Sequence, residues 1–282
     1  SVAWVRVPKL VNRLKVRVVS VAESAAGEDG LSSGVVWNSG YQAVYHLASA
    51  ADSSLHGRSF QPGTGAASSG VVGPVGPAMA FTKSSEELKT LKADDLMAAL
   101  SGAFTISGWI KAGSTQQNAY VLQVHNGAFH FALLYGWNGD LASRTLSMFV
   151  SDNPSAYIAG NSTSDQIADL RYTVSPIVLP DEAWHHFVYT TDQTKMAVYL
   201  DGELIRILPR SYSLGSGQPT RQRVDIGLGQ TSSGGSSFTG QLDELRFESV
   251  VRSADWVRAC YLNQSGALLR MRPDAGTVLL LR

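Results

Sequence analysis

The chain has 282 residues, which is enough for one large all-β domain or for two smaller domains. Its 23 basic and 23 acidic residues give a formal net charge of zero, so no overall field attracts nucleic acid or an anionic membrane. A single cysteine excludes an internal disulfide, and no apolar run has the length of a membrane span. We therefore expect neither a nucleic-acid partner nor direct insertion into a membrane.

The two ends of the chain carry short strand patterns. Strands are predicted at residues 2–7 and 14–21, followed by a small, polar linker up to residue 34. Near the other end, the apolar run at 278–281 would be a liability if exposed, so we expect it to pair with the N-terminal strands. The chain begins directly with an apolar strand pattern and has no signal peptide, which is typical of a fragment or a processed product.

Between the ends, short alternating runs are separated by glycine- and serine-rich loops, a pattern that predicts a β-sandwich. Asp201-Gly202 is the kind of two-residue turn that closes a hairpin. His185 and His186 point to opposite faces of one strand, so we interpret them as strand residues with local hydrogen bonds rather than as joint metal ligands. The predicted strands are 104–111, 120–125, 129–135, 145–150, 156–159, 185–191, 195–200, 203–208 and 224–229.

The segment 238–264, FTGQLDELRFESVVRSADWVRACYLNQ, predicts a strand, a bend and a closing helix. Strand alternation puts Asp243 on the core face with Leu245 and Phe247, while Glu244 and Arg246 face outward and can pair there. A buried carboxylate at Asp243 then needs a partner or a metal ion. For the helix, we expect Ser253 to be the N-cap and the packed side to be formed by Trp256, Ala259 and Cys260.

This segment resembles the last strand and closing helix of bacterial laminin-G-like modules, which are jelly rolls of the concanavalin A-like lectin/glucanase group. The stretches VVWNSGYQAVYHL and DEAWHHFVYTTDQTKMAVYLDGELI are also typical of these modules. The resemblance implies an all-β concanavalin A-like jelly-roll sandwich of two antiparallel sheets with only short helices. It also predicts a strand near 87–91 and a helical turn near 94–100, where helix propensity alone favours one helix from 86 to 100.

The resemblance suggests a division of the chain into three parts. Residues 1–34 form N-terminal strands and a linker, 35–265 the jelly roll, and 266–282 C-terminal strands that pair with the N-terminal segment. The first part resembles the end of a domain of unknown function that precedes such modules in bacterial envelope proteins, and would be its remnant.

Related modules hold a structural calcium ion at the rim of the sandwich. Carried over by the resemblance, its carboxylate ligands are Asp52 and Asp243, with main-chain carbonyls from 54–57. The alternative is that Asp243 accepts hydrogen bonds from the amides of the Asp52 turn. The calcium site is therefore one hypothesis of two at this point.

Two further kinds of chemistry occur in proteins of this fold. Glucanases of this fold carry Glu-x-Asp-x-x-Glu on one strand, but here Gln241 and Arg246 replace both catalytic glutamates, so we expect no enzyme. Lectins of this fold bind with loop aromatics and polar side chains. The loop YGWNGD has that chemistry, so the candidate glycan-binding residues are Trp137, Asn138, Asp140 and Tyr157. The alternative is a turn whose tryptophan packs on the sandwich edge.

The function expected from these patterns is a non-catalytic binding or adhesion module, directed at glycan, in an extracytoplasmic bacterial protein. Its alternative is a structural or assembly module that contacts another envelope protein. In that case the partners include copies of the chain itself, which associate through the terminal strands.

Overall fold

The computed structural model describes residues 15–17, 36–62, 68–82, 88–90, 96, 99–100, 102–112, 119–126, 129–136, 144–151, 172–192, 194–209, 223–227, 236–266, 269–270 and 278–281. Structural statements below concern these residues. The predicted strand at 156–159 lies outside them.

Strands dominate the described residues, and the closing helix α1 spans Ala254–Gln264. The strands are β1 (Lys15–Arg17), β2 (Tyr41–Tyr45), β3 (Phe60–Pro62), β4 (Ser68–Val72), β5 (Pro77–Phe81), β6 (Leu88–Thr90), β7 (Phe104–Ala112), β8 (Ala119–Asn126), β9 (Phe129–Tyr135), β10 (Thr145–Ser151), β11 (Tyr172–Val178), β12 (His185–Thr191), β13 (Lys195–Leu200), β14 (Glu203–Pro209), β15 (Arg223–Ile226), β16 (Ser236–Ser237), β17 (Gly240–Glu248), β18 (Leu269–Arg270) and β19 (Val278–Leu281).

Two large sheets form the sandwich. Sheet I has the order β14-β13-β12-β7-β17-β5-β4, with β2 also paired to β17. Sheet II has the order β11-β10-β9-β8-β15-β6-β3, with β16 alongside β8. Neighbouring strands are antiparallel except for β16 and β8. The all-β jelly-roll prediction is confirmed. Strand β6 and a helical hydrogen bond from Leu100 N to Leu96 O at 3.0 Å replace the long helix that propensity favours.

The core lies between the two sheets and follows the predicted alternation along β7. Phe104, Ile106 and Ile110 are buried in the core, as predicted. Thr105 and Trp109 are on the other face of β7, which we call the outer face of sheet I. Because β7 lies in the middle of sheet I, its outer face is available for a further layer, and α1 provides part of that layer.

A β-bulge interrupts the alternation in β17. Its register with β7 shifts between Asp243 and Arg246, and Glu244 has a left-handed φ of 53°. Leu242 before the bulge and Leu245 after it are both in the core, so Asp243, Glu244 and Arg246 are all on the outer face. The expectation that Asp243 shares the core face is wrong, because strict alternation does not hold across a bulge.

Helix α1 packs on the outer face of sheet I. Ser253 is its N-cap, as predicted, and its hydroxyl accepts a hydrogen bond from Trp256 N at 3.2 Å. Val257 is the residue that packs fully against Val188, Ala197 and Tyr199, while Trp256 is only partly buried. With eleven residues α1 is too short for a bilayer, and no other described helix has the length and apolarity of a span.

The ends of the chain form a small third sheet, β1-β19-β18. Lys15 pairs with Leu280 and Arg17 with Val278, which is the pairing of terminal strands expected for the apolar run. The division of the chain into three parts stays a prediction. At the β13–β14 hairpin, Asp201 and Gly202 have φ values of 49° and 81°, as the predicted two-residue turn requires.

Candidate functional site

The predicted glycan loop connects β9 to β10. Trp137, Asn138 and Asp140, together with Tyr157, lie outside the described residues, so their role stays a prediction. The ends of the connection are described: Gly136 N donates to Thr145 O at 2.8 Å, and Tyr135 pairs with Leu146. The loop therefore emerges from one end of sheet II.

Charged side chains surround the point where this loop emerges. Arg144 donates through Nη1 to Pro180 O at 3.1 Å, and its Nη2 lies 3.7 Å from Glu182. Asp181, on the same loop, accepts from Ala183 N at 2.6 Å and contacts His185 Nε2 at 3.1 Å. We call Arg144, Asp181 and Glu182 the rim charges.

His185 is held between two carboxylates. Its Nδ1 lies 2.8 Å from Asp201 Oδ2 and its Nε2 lies 3.1 Å from Asp181 Oδ1. Asp201 also accepts from His186 N at 2.9 Å. These local hydrogen bonds confirm the interpretation of His185 as a strand residue, and they tie the 181–184 loop to the β13–β14 turn.

Asp52 organises its own turn. Its Oδ1 accepts from Val44 N at 2.9 Å and Ser54 N at 2.8 Å, while its Oδ2 accepts from the Ser54 hydroxyl at 2.8 Å and Arg58 N at 2.7 Å. Each carboxylate oxygen thus already accepts two hydrogen bonds. A cation bound here would have to displace donors that the turn itself supplies.

Asp243 belongs to a different turn. Its Oδ2 accepts from Val75 N at 3.1 Å, in the β4–β5 hairpin. The donor expected in the alternative hypothesis, an amide of the Asp52 turn, is therefore not the one found. Burial, together with the charge of neighbouring Glu244, raises the pKa of Asp243 to about 7.

Strand β2 separates the two carboxylates. Val44 N donates to Asp52 and Val44 O accepts from Ser53 N at 2.8 Å, so the Asp52 turn runs along one edge of β2. Strand β17, which carries Asp243, pairs with the opposite edge. Among the described residues no group of three or more His, Cys, Asp or Glu side chains is arranged to hold a metal ion. Asp52 and Asp243 thus belong to different turns, and the calcium ion stays a prediction.

A buried ion pair occupies the outer face of β17. Arg246 Nη2 lies 2.7 Å from Glu244 Oε2, and the two side chains are 4% and 3% exposed. His46 Nδ1 lies 2.6 Å from the other oxygen, Glu244 Oε1, and the Trp37 ring lies 5.1 Å from the Arg246 guanidinium. The predicted pairing of Glu244 and Arg246 is confirmed, but in a buried setting that alternation alone could not indicate.

The charge state of this pair follows from its surroundings. Burial alone would raise the pKa of Glu244, but Arg246 and His46 outweigh burial and hold that pKa below its ordinary value. Arg246 likewise stays charged, because Glu244 offsets the effect of burial on its pKa. Glu244 is therefore an ionised, fully engaged carboxylate and not a free acid or nucleophile.

A second polar contact joins the end of β17 to the loop before α1. Arg252 Nε donates to Glu248 Oε2 at 2.5 Å, and the Arg252 guanidinium lies 4.5 Å from the Trp256 ring centre. Thr105 on β7 accepts from Arg252 N at 3.0 Å and donates to Val250 O at 2.6 Å. These contacts position the start of the helix over sheet I.

Aromatic and amide groups hold the other end of α1. Trp109 Nε1 donates to Gln264 Oε1 at 2.5 Å, and the rings of Trp109 and Tyr261 are stacked at 5.7 Å. His186 lies 5.2 Å from Trp109, and burial, aided by the charge of Arg246, lowers its pKa to about 3. His186 is thus a neutral packing residue, in agreement with its interpretation as a strand residue.

Sequence reasoning missed two parts of this arrangement. The contact of His46 with Glu244 joins residues 198 positions apart, and no local pattern signals it. The bulge could have been suspected from the run Leu242-Asp243-Glu244-Leu245, in which two polar residues separate two apolar ones and alternation fails.

Known proteins agree with this architecture. A family model described as the concanavalin A-like lectin/glucanases superfamily matches residues 88–258. No curated protein matches the chain.

Among solved structures, domain 4 of an extracellular arabinanase from Geobacillus stearothermophilus, in complex with arabinotriose, is similar with a TM-score of 0.55 and 16% identity. The match covers 78% of this chain and 97% of that domain. The receptor-binding domain of botulinum neurotoxin C/D mosaic serotype has a TM-score of 0.59 and 11% identity, over 82% of this chain and 52% of that one. The binding domain of botulinum neurotoxin DC, in complex with rat synaptotagmin II, has a TM-score of 0.56 and 10% identity, over 78% and 50%. The chain spans about half of the neurotoxin binding domains, and at these identities the likeness shows the fold.

The buried ion pair generates a stability prediction. Arg246→Met leaves Glu244 buried without its main partner, so we expect the free energy of unfolding to fall by about 3–5 kcal/mol in urea titrations. Arg258→Met breaks the exposed pair between Arg258 and Glu203 and should cost at most about 1 kcal/mol. The double variant Glu244→Gln/Arg246→Met should recover part of the loss. Equal effects of Arg246→Met and Arg258→Met would contradict the buried pair.

Asp243 generates a pH prediction. Because its pKa is raised in the folded chain, its protonated form stabilises the fold; this contribution is complete below about pH 4 and is lost as pH rises through about 7. We expect Asp243→Asn to be more stable than wild type at pH 8 and to have a flatter stability curve between pH 4 and 7. Urea unfolding at several pH values measures this, with Asp192→Asn as the control, because hydrogen bonds from Thr194 hold the pKa of Asp192 below its ordinary value. Parallel curves for wild type and Asp243→Asn would show that Asp243 does not titrate in this range.

Proposed function

Because the chain belongs to the concanavalin A-like lectin/glucanases superfamily, we propose that it is a non-catalytic module that binds glycan as part of an extracytoplasmic bacterial protein. Its ligand is a glycan displayed on a surface or on another envelope protein. The absence of catalysis in this proposal rests on one observation: the carboxylates of β17 are held in ion pairs and hydrogen bonds within the protein.

Hydrolysis of a glycosidic bond in this fold needs two carboxyl groups that face the substrate, about 5 Å apart for retention or about 6.5–9.5 Å for inversion. Each carboxylate of β17 already has an ion-pair or hydrogen-bond partner within the protein. Glu244 is held by Arg246 and His46, and Glu248 by Arg252. Asp243 accepts from the β4–β5 hairpin. The positions of the two glutamates in the glucanase motif are Gln241 and Arg246, which supports binding without hydrolysis.

Support for a glycan ligand comes from three directions. The similar arabinanase domain was solved with arabinotriose, and the similar neurotoxin domains are receptor-binding or binding domains. The predicted loop combines Trp137, whose ring can stack on a sugar face, with Asn138 and Asp140, which can bind hydroxyls. The rim charges Arg144, Asp181 and Glu182 stand where this loop emerges and offer further hydrogen bonds.

Binding to immobilised glycans and to arabinotriose tests this proposal. We expect binding by the wild-type chain, loss of binding by Trp137→Ala, and retention by Trp137→Phe, which keeps an aromatic face. Melting temperatures of all three should agree, because the substitution lies in a connecting loop. A blank glycan array together with no arabinotriose binding would remove the glycan ligand. Reducing sugar released from a β-glucan and lost in Glu244→Gln would instead show that the chain is an enzyme.

The structural calcium ion predicted at Asp52 and Asp243 is a separate proposal. A bound ion would raise the melting temperature of wild type in calcium relative to chelator and leave Asp52→Asn unresponsive. Asp192→Asn is the matched control, because Asp192 also accepts from the amides of its own turn. Identical melting temperatures of the wild-type chain in calcium and in chelator would remove the metal.

The alternative function, an assembly module, has one observation in its favour. Strand β14 exposes apolar side chains at the edge of sheet I.

A further inference from the structure

The loop at 179–184, which we call the crossover loop, joins the end of β11 in sheet II to the start of β12 in sheet I. Its first part is attached to the start of β10, because Leu179 N donates to Arg144 O at 2.8 Å and Arg144 Nη1 donates to Pro180 O at 3.1 Å. The loop therefore passes over one end of the core. This is the end at which β9 leads into the predicted glycan loop.

The side chain of Tyr135 lies in the core at the same end. Tyr135 is 1% exposed, and its ring meets the ring of Phe238 edge-on with the centroids 6.5 Å apart. Within the described part of the chain, its buried hydroxyl has no hydrogen-bond partner. Burial raises the pKa of Tyr135, and the charges of Arg144 and Glu182 are the next influences on that pKa, so the hydroxyl is directed towards the rim charges. A buried hydroxyl without a partner is unfavourable, so this one indicates a place where another group can bind.

The charged groups around the crossover loop are acidic in sum. Asp181 and Glu182 have side chains that are 63% and 53% exposed, and Asp201 is a third carboxylate, in contact with His185. A backbone hydrogen bond within the loop, together with the contact to His185, holds the pKa of Asp181 below its ordinary value, so this carboxylate is ionised at neutral pH. The cations that face the three carboxylates are Arg144 and His185. Whichever charge His185 carries, the negative charges exceed the positive ones.

The sequence of the neighbouring connections does not reverse this balance. The connections from β5 to β6 and from β9 to β10 join strand ends on the same side of the sandwich. In sequence they carry the carboxylates Glu86, Glu87 and Asp140 and the single cation Lys83. Lys111 of β7 lies on the outer face of sheet I, which is the side opposite the core. The end of the sandwich that carries the rim charges is therefore an unfavourable place for an anion.

The three carboxylates around the crossover loop already have partners within the protein. Asp181 and Asp201 both contact His185, and Glu182 faces Arg144 at 3.7 Å. An ammonium group of a ligand would have to compete with these partners for a carboxylate. An anionic group would be repelled by the net charge and would lose its hydration without gaining a free cation. An uncharged ligand avoids both costs.

We propose that the rim charges and the Tyr135 hydroxyl form a selective part of the glycan site, which accepts uncharged sugars and excludes sugars that carry a carboxylate, sulfate or phosphate group. This inference rests on the proposed function, since it concerns the ligand of the same site. The Tyr135 hydroxyl binds a sugar hydroxyl that enters beside the crossover loop, while Asp181 and Glu182 repel anions. Sugar hydroxyls both donate and accept hydrogen bonds, so they suit a phenol that has no other partner.

Binding to matched glycans tests the charge selection. The probes are immobilised neutral glycans and their counterparts with a uronic acid, a sulfated sugar or an amino sugar at the terminal position. We expect the acidic counterparts to bind at least about tenfold more weakly than the neutral glycans at about 0.02 M salt. The gap should narrow at about 0.5 M salt, because salt screens the repulsion.

Charge removal identifies the groups responsible. Asp181→Asn/Glu182→Gln should narrow the gap between neutral and acidic glycans at low salt. Glu182→Gln alone, which leaves the contact between Asp181 and His185 intact, should narrow it in part and keep the melting temperature of wild type. Asp192→Asn is the matched control, because it removes a turn carboxylate at the other end of β12 and should leave the gap unchanged.

Tyr135→Phe tests the hydroxyl. This variant keeps the ring against Phe238, so we expect the affinity for neutral glycans to fall about three- to tenfold, the equivalent of one hydrogen bond. Its melting temperature should stay at or above that of wild type, because the lost hydroxyl has no partner within the described residues. Tyr189→Phe is the contrast: the Tyr189 hydroxyl donates to Leu146 O at 3.0 Å, so its loss should lower the melting temperature.

The outcomes separate this inference from the proposed function. Acidic or amino-sugar counterparts that bind as tightly as the neutral glycans, or a gap that Asp181→Asn/Glu182→Gln leaves unchanged, would overturn the charge selection while glycan binding stands. Unchanged affinity in Tyr135→Phe would remove the role of the hydroxyl. A chain that binds no glycan at all would remove the proposed function, and this inference with it.

Discussion

The buried pair of Glu244 and Arg246 is the constraint on which the outer face of sheet I depends. Two charges removed from water need each other and further partners for their remaining hydrogen-bonding groups, and the neighbouring elements supply some of these contacts. His46, which directly follows β2, contacts the second carboxylate oxygen of Glu244. The ring of Trp37 packs against the Arg246 guanidinium. The β-bulge at Glu244 is what brings both charged side chains onto this face.

The same pair supports the proposal of a non-catalytic module. A carboxylate that is ionised, buried and shared between an arginine and a histidine has no capacity to exchange protons with a substrate. The last strand of the sandwich has thereby become structural, since it anchors α1 and the N-terminal strand of the jelly roll. Under the proposed function, recognition would fall to loops at the ends of the sheets, as is common where a rigid scaffold presents a binding site.

How much of the site was predictable differs from residue to residue. The pairing of Glu244 with Arg246 and the separate roles of His185 and His186 follow from period-two alternation, which is a local property. The face of Asp243 does not follow from alternation. The bulge at Glu244, a residue in a left-handed conformation, shifts the alternation between the residues before it and the residues after it. Asp52 and Asp243 are 191 positions apart in sequence, and their separation by β2 depends on which edges of the strands pair.

The sequence by itself determined the β-sandwich class, the positions of several central strands, the closing helix with its serine cap and the two-residue hairpin turn. Each of these depends on neighbouring residues, whose periodicity and turn chemistry are visible in the chain. Only the tertiary structure decided that Glu244 and Arg246 are buried, that Asp52 and Asp243 belong to separate turns, and that β14 lies at the edge of sheet I. Those outcomes depend on which distant strands lie side by side, and that is set by the packing of the whole sandwich.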